Sequence, residues 1–202
     1  MRKTVRALAV STIFVLSLGM SAMAQEGATN EVTDVTGRVV EVPADAQNVV
    51  MLPGPAYEKA MIVGATDQVG GVLKSCVTDW AKLIHPEIND LVIFDSSTEP
   101  NMEDIMNLNA EFVICHDYQD LDAQLDELDI PYVITQCSGE LPYHDLEGFL
   151  DFQKTEVMAF GDAFGGDAVE KAQAWCDYFD EKVAYVREKT DDLTEDEKPR
   201  VY

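Results

Sequence analysis

Asn48-Val49-Val50-Met51-Leu52-Pro53-Gly54-Pro55-Ala56-Tyr57-Glu58-Lys59-Ala60-Met61-Ile62-Val63-Gly64 reads as a strand, a forced stop and a helix. The apolar run 48–52 has strand length, and Pro53-Gly54-Pro55 ends it. Ala56 to Val63 has helical composition, and Gly64 stands where a helix C-terminus wants a left-handed residue. The same alternation continues on the C-terminal side. Strands are predicted at 68–73, 91–94, 111–115 and 132–135, with helices at 77–84, 101–108 and 121–128. Upstream, Val32 to Val42 reads as a hairpin with Gly37 in its turn; downstream, helices are predicted at 146–160 and 167–190. Short apolar strands alternating with helices imply an α/β fold: a parallel sheet covered by helices on both faces. Gly161-Asp162-Ala163-Phe164-Gly165-Gly166 lies between two helices, so it reads as a turn and not as a phosphate loop.

The first 24 residues are a targeting segment. Arg2, Lys3 and Arg6 precede a 14-residue apolar run, Ala7 to Met20, and Ser21-Ala22-Met23-Ala24 offers a small-x-small cleavage site. The run is short of the roughly 20 residues that a spanning helix needs. Cleavage after Ala24 and a periplasmic location are expected. The leader holds 3 of the 14 basic residues and none of the 38 acids, so the remaining chain carries 11 against 38, a net −27. Such a charge repels nucleic acid and anionic membranes and favours cationic partners; adaptation to salt, or solubility alone, would look the same. Cys76, Cys115, Cys137 and Cys176 form no CxxC pair. Buried free thiols are expected, with a Cys115–Cys137 disulfide as the alternative because both end neighbouring strands.

In a parallel sheet of this kind, ligands sit beyond the carboxyl ends of the strands. That rule selects the loops 53–57, 74–80, 95–98, 115–118 and 136–138. Tyr57, Lys74, Trp80, His116 and Tyr118 are the candidate ligand-binding residues there, with Lys74 as a lone base. Aromatic side chains on loops suit a flat or macrocyclic ligand. Each also has a structural reading: Trp80 could cover the sheet edge, and Tyr57 could cap the core with its hydroxyl in water. His85, His116 and His144 are far apart, and only His116 falls at a strand end. The sequence holds no G-x-S-x-G, H-E-x-x-H, P-loop or GxGxxG pattern, so no catalytic residue and no intrinsic metal or cofactor is expected.

Several ordered motifs resemble the substrate-binding proteins of ABC transporters for iron-siderophore complexes, haem and cobalamin. Val32-Thr33-Asp34-Val35-Thr36-Gly37-Arg38-Val39-Val40-Glu41-Val42-Pro43 is similar to that family's opening hairpin, "v-t-D-x-x-G-r-x-v-x-v-P". Tyr57 to Ala65 is similar to its "E-x-x-x-x-L-G" helix, and Asp67 to Val72 to its "d-x-i-v-G-v" strand. Pro100-Asn101-Met102-Glu103-Asp104-Ile105-Met106-Asn107-Leu108 through Ile114 follows "p-N-l-E-x-i-x-x-l-k-P-D-l-V-i". Asp129-Ile130-Pro131-Tyr132-Val133 and Phe160 to Ala172 follow two further stretches. Two departures stand out: Asn109-Ala110-Glu111 replaces Lys-Pro-Asp, and Asp129 replaces Gly. Both lie at turns before strands, where they bear on stability more than on function.

The resemblance implies two α/β lobes joined by a long helix, with ligand held between them. The expected layout is a leader at 1–24, an N-terminal lobe at 25–165, the inter-lobe helix at 166–192, and the first strand of a second lobe at 193–202. It implies a monomer that delivers an iron chelate, haem or cobalamin to an ABC permease and performs no chemistry. It also implies permease docking through Glu103, with Glu58 as a second recurrent acid. As a plain structural residue, Glu103 would stabilise a helix N-terminus, and Glu58 would cap its helix or make an internal contact. The competing expectations are a metal- or cofactor-handling enzyme using His116 with Asp117 or Asp95, and a fragment with no binding function.

Overall fold

The computed structural model describes residues 27–139, 142–194 and 196–198. The leader and residues 199–202, on which the expected final strand rests, lie outside the described residues.

A hairpin, β1 (Thr29–Thr33) and β2 (Val39–Pro43), opens the fold. Asp34 ties its turn. One carboxylate oxygen accepts from Thr36 N at 3.0 Å, Thr36 Oγ1 at 2.7 Å and Arg38 N at 3.1 Å; the other accepts from Arg38 Nε at 2.9 Å. Gly37 takes φ 84°, which closes the turn without a Cβ penalty. Arg38 then lies over the Tyr132 ring at 4.3 Å and donates to the Tyr132 carbonyl, while Val35 N donates to Ile134 O at 3.1 Å. The Asp, Gly and Arg of the opening motif therefore fasten the hairpin to the sheet edge.

The sheet has five parallel strands: β3 (Val49–Met51), β4 (Val69–Leu73), β5 (Val92–Phe94), β6 (Val113–His116) and β7 (Tyr132–Gln136). Their order is β5-β4-β3-β6-β7, so the chain winds one way from β3, then crosses back to start β6 on the other side. Alternate residues face opposite layers. Val49, Met51, Ile114 and Val133 pack under α1 (Ala56–Val63), α5 (Leu146–Phe164) and the start of α6 (Asp167–Thr190). Val50, Val113, Cys115 and Ile134 pack under α3 (Met102–Asn107) and α4 (Gln119–Glu127). Helix α2 (Asp79–Ile84) follows β4, with Thr78 Oγ1 capping its start. The interiors of β3, β6 and β7 are buried on both faces, which is why these strands read as short apolar runs instead of alternating ones; the edge strand β5 leaves Ile93 exposed.

The helical layer differs from expectation at one place. Helix α5 runs through Gly161 to Phe164, and only Gly165 and Gly166, at φ 65° and 53°, make the turn into α6. Gly161 is a crossing point: a Cβ there would meet Ala172 Cβ at 2.7 Å. Helix α6 buries Ala168, Ala172 and Cys176, spaced four apart, and is tied near its end by an ion pair between Arg187 and Glu147. All four cysteines are free, so the alternative Cys115–Cys137 disulfide is not formed; Cys115 faces the α3–α4 layer and Cys137 lies half-buried beyond β7. No described helix is long and apolar enough to cross a membrane.

Candidate functional site

The strand order reverses between β3 and β6. At such a reversal the loops leaving the strands diverge and open a crevice at their carboxyl ends. A cleft of about 840 Å³ opens at these carboxyl ends on the α3–α4 side of the sheet, and three loops build it: Thr98, Glu99 and Pro100 after β5, Asp117 to Asp120 after β6, and Ser138 after β7; the loop after β3 does not line it. Ala123 and Gln124, one turn into α4, complete the wall.

Local hydrogen bonds fix these loops. Ser96 Oγ accepts from Thr98 N at 3.3 Å and Glu99 N at 3.0 Å, turning the chain so that Glu99 faces the cleft. Asn101 caps α3 by accepting from Glu103 N at 3.0 Å. Asp117 and Ser138 clasp the ends of β6 and β7: Ser138 Oγ donates to Asp117 O at 3.1 Å, and Ser138 N donates to the Asp117 carboxylate.

His116 and Tyr118 are brought together, with ring centroids 5.2 Å apart. Burial holds the His116 imidazole below the ordinary histidine value, opposed by a hydrogen bond that the ring donates to the Gln136 side chain and by the Asp117 charge. The ring is therefore neutral at pH 7, and its Nδ1 is buried with no hydrogen-bond partner among the described residues. Lys74 is not a lone base. It donates to Asp95 at 2.8 Å across an exposed hollow next to the cleft. Trp80 is 53% exposed on α2 and is not part of the cleft wall.

Tyr57 is displaced from its expected role. It is 0% exposed, packed into the core from the first turn of α1 with its ring edge-on to His85. Burial, then the Glu87 charge, pushes its hydroxyl up to about 12. The loop after β3 ends two residues earlier than Tyr57, so the helix carries this side chain inward. Glu58 is half-buried, with Oε2 covered and unpartnered among the described residues. Glu103 is exposed on the first turn of α3 with no ion-pair partner among the described residues.

Two features were not anticipated. Gln119, Asp120 and Gln124 line the cleft because α4 starts two residues earlier than its apolar pattern suggests; the polar spacing i, i+1, i+5 was the available signal. Behind the cleft, Lys59 and Glu156 form a buried ion pair at 2.9 Å, 9% and 2% exposed, and Gln136 Nε2 donates to the same Glu156 oxygen at 3.4 Å. Burial raises the Glu156 carboxyl above its ordinary value, and Lys59 opposes the shift. Among the described residues, no group of three or more His, Cys, Asp and Glu could hold a bare metal ion.

No family model and no curated protein matches the sequence. Solved structures do. The molybdate-bound periplasmic binding protein MolA of Haemophilus influenzae superposes with a TM-score of 0.70 at 19% identity, over 84% of this chain and 56% of that one. The iron-uptake substrate-binding protein PiuA of Streptococcus pneumoniae gives 0.66 at 16%, over 83% and 56%. The petrobactin-binding protein YclQ of Bacillus subtilis gives 0.63 at 18%, over 83% and 55%. The chain thus spans about half the length of the structures it matches. In fold, the described chain is a single α/β lobe of the kind that periplasmic substrate-binding proteins of ABC transporters contain.

Proposed function

We propose that this chain supplies one lobe of a periplasmic solute-binding protein for an ABC importer of iron complexes or corrinoids. The observation that carries the reading is the cleft at the carboxyl ends of β5, β6 and β7, on the fold that MolA, PiuA and YclQ share. His116, Tyr118, Lys74 and Trp80 surround or adjoin that open end and remain the proposed ligand contacts; Tyr57 supports them from the core. A ferric siderophore, haem or cobalamin would rest on this face and be released to a permease. Nothing in this role requires turnover, since binding and delivery are enough.

Exposed, without an ion-pair partner among the described residues and held on a capped helix, Glu103 suits docking on a cationic permease surface, where such charges set register and association rate. The test is a calorimetric titration of the leaderless chain with ferric siderophores, haem and cobalamin, joined to an uptake assay. One ligand bound per chain is the expected result, with Glu103→Arg keeping that affinity and lowering uptake about tenfold. Absence of binding to every compound would overturn the reading.

A further inference from the structure

The cleft wall carries Glu99, Asp117 and Asp120 and no basic side chain. The nearest lysine on the same open end, Lys74, is already neutralised by Asp95 at 2.8 Å. Glu99 and Asp120 are exposed, and Asp117, although it accepts from Ser138 N, keeps its carboxylate on the cleft. The polar groups between these acids, Gln119 and Gln124, can donate or accept but bring no charge. An anionic ligand on this wall would meet three like charges with no basic side chain among the described lining residues to offset their repulsion. A bare metal ion is also a poor occupant, because no described group of three or more ligating side chains could hold one.

We infer that the cleft selects a cationic metal complex, carried as an intact chelate with its positive charge turned toward Glu99, Asp117 and Asp120. The cleft is located by its shape and its place in the fold; the acids determine only the sign of its occupant. This inference rests on the cleft being the ligand site of the proposed solute-binding protein. The breadth of the cleft, about 840 Å³, suits a ligand of chelate or macrocycle size. Tyr118, which lines the cleft with its ring 5.2 Å from that of His116, offers an aromatic surface for such a ligand to rest on.

Two iron porphyrins of matched size test this, one bearing four N-methylpyridinium groups and one bearing four sulfonatophenyl groups. Both are titrated into the leaderless chain at two salt concentrations. The cationic porphyrin should bind one per chain and about tenfold tighter, with the ratio falling as salt rises. Glu99→Gln/Asp120→Asn should cut that ratio at least about threefold. A control pair on the outer face of α6, Asp177→Asn/Glu181→Gln, removes the same charge and should leave the ratio unchanged. Equal affinities, or tighter binding of the anionic porphyrin, would overturn the charge inference and leave the solute-binding reading standing. An equal drop in the control pair would overturn it too, because the preference would then come from the net charge of the whole chain. If neither porphyrin binds, the inference fails, and the solute-binding reading is decided separately by the siderophore, haem and cobalamin titration.

Discussion

Among the described residues, three other than glycine sit at positive φ: Asn48 at 56°, Asn109 at 52° and Asp129 at 52°. Each lies in the turn just before a strand, where the chain must reverse in very few residues. A left-handed residue there costs about 1 kcal/mol for most side chains, and Asn and Asp lower that cost through local hydrogen bonding. Asp129 holds the position where the resembling motif has Gly, so the backbone conformation is retained with a different residue. Asp129→Gly should therefore leave stability within about 0.5 kcal/mol, while Asp129→Ala should cost about 1 kcal/mol. Urea midpoints of the two variants check this, and equal losses would contradict the account. His116 gives a prediction in pH. Its folded value is depressed by burial, so the folded chain binds this proton less readily than the unfolded one. The group's contribution is intact above the ordinary value of about 6.5 and is lost as pH falls from there toward the lowered folded value. The neighbouring Asp117 charge and the Gln136 bond limit the effect. The stability difference between wild type and His116→Gln should narrow between pH 7.5 and pH 5.5, about one unit either side of that ordinary value. A gap that stays constant with pH would refute it.

At the level of elements, the arrangement behind the cleft is held by one buried pair. Lys59 on α1 and Glu156 on α5 meet at 2.9 Å beside the end of β7, so the pair sets how two helices sit over the sheet's carboxyl end. Removing one partner strands a buried charge. Lys59→Met alone should cost about 3 kcal/mol, and Lys59→Met/Glu156→Leu together should recover most of that loss. A double-mutant cycle by chemical denaturation measures the coupling; additive losses would contradict it. The elements themselves were largely legible in the sequence, because each strand of the parallel sheet holds an apolar run and every α-helix except α4 begins or ends at a Pro, Gly or capping residue. Where legibility failed, the cause was tertiary. Gly161 looks like a turn residue locally, yet it is inside α5 because α6 approaches too closely for a Cβ. Tyr57 looks like a loop aromatic, yet the first turn of α1 carries it into the core.

For the whole molecule, the fold and the location of the open strand ends followed from pattern, but the membership of the cleft did not. The sequence pointed to loops, and three of the five predicted loops do build the cleft wall. It could not show that α4 begins early, that Lys74 spends its charge on Asp95, or that acids would be left facing the opening. Those depend on which loops the folded chain brings side by side at the carboxyl ends of the strands. The central claim is that this open end is the ligand face. The most direct test is a map of backbone amide shifts of the leaderless chain on titration with its best-binding iron chelate, haem or corrinoid. The account predicts perturbations at Thr98–Pro100, Asp117–Gln124 and Ser138, with the opposite end of the sheet unchanged. Perturbations confined to the α5–α6 surface, or to the amino ends of the strands, would contradict it.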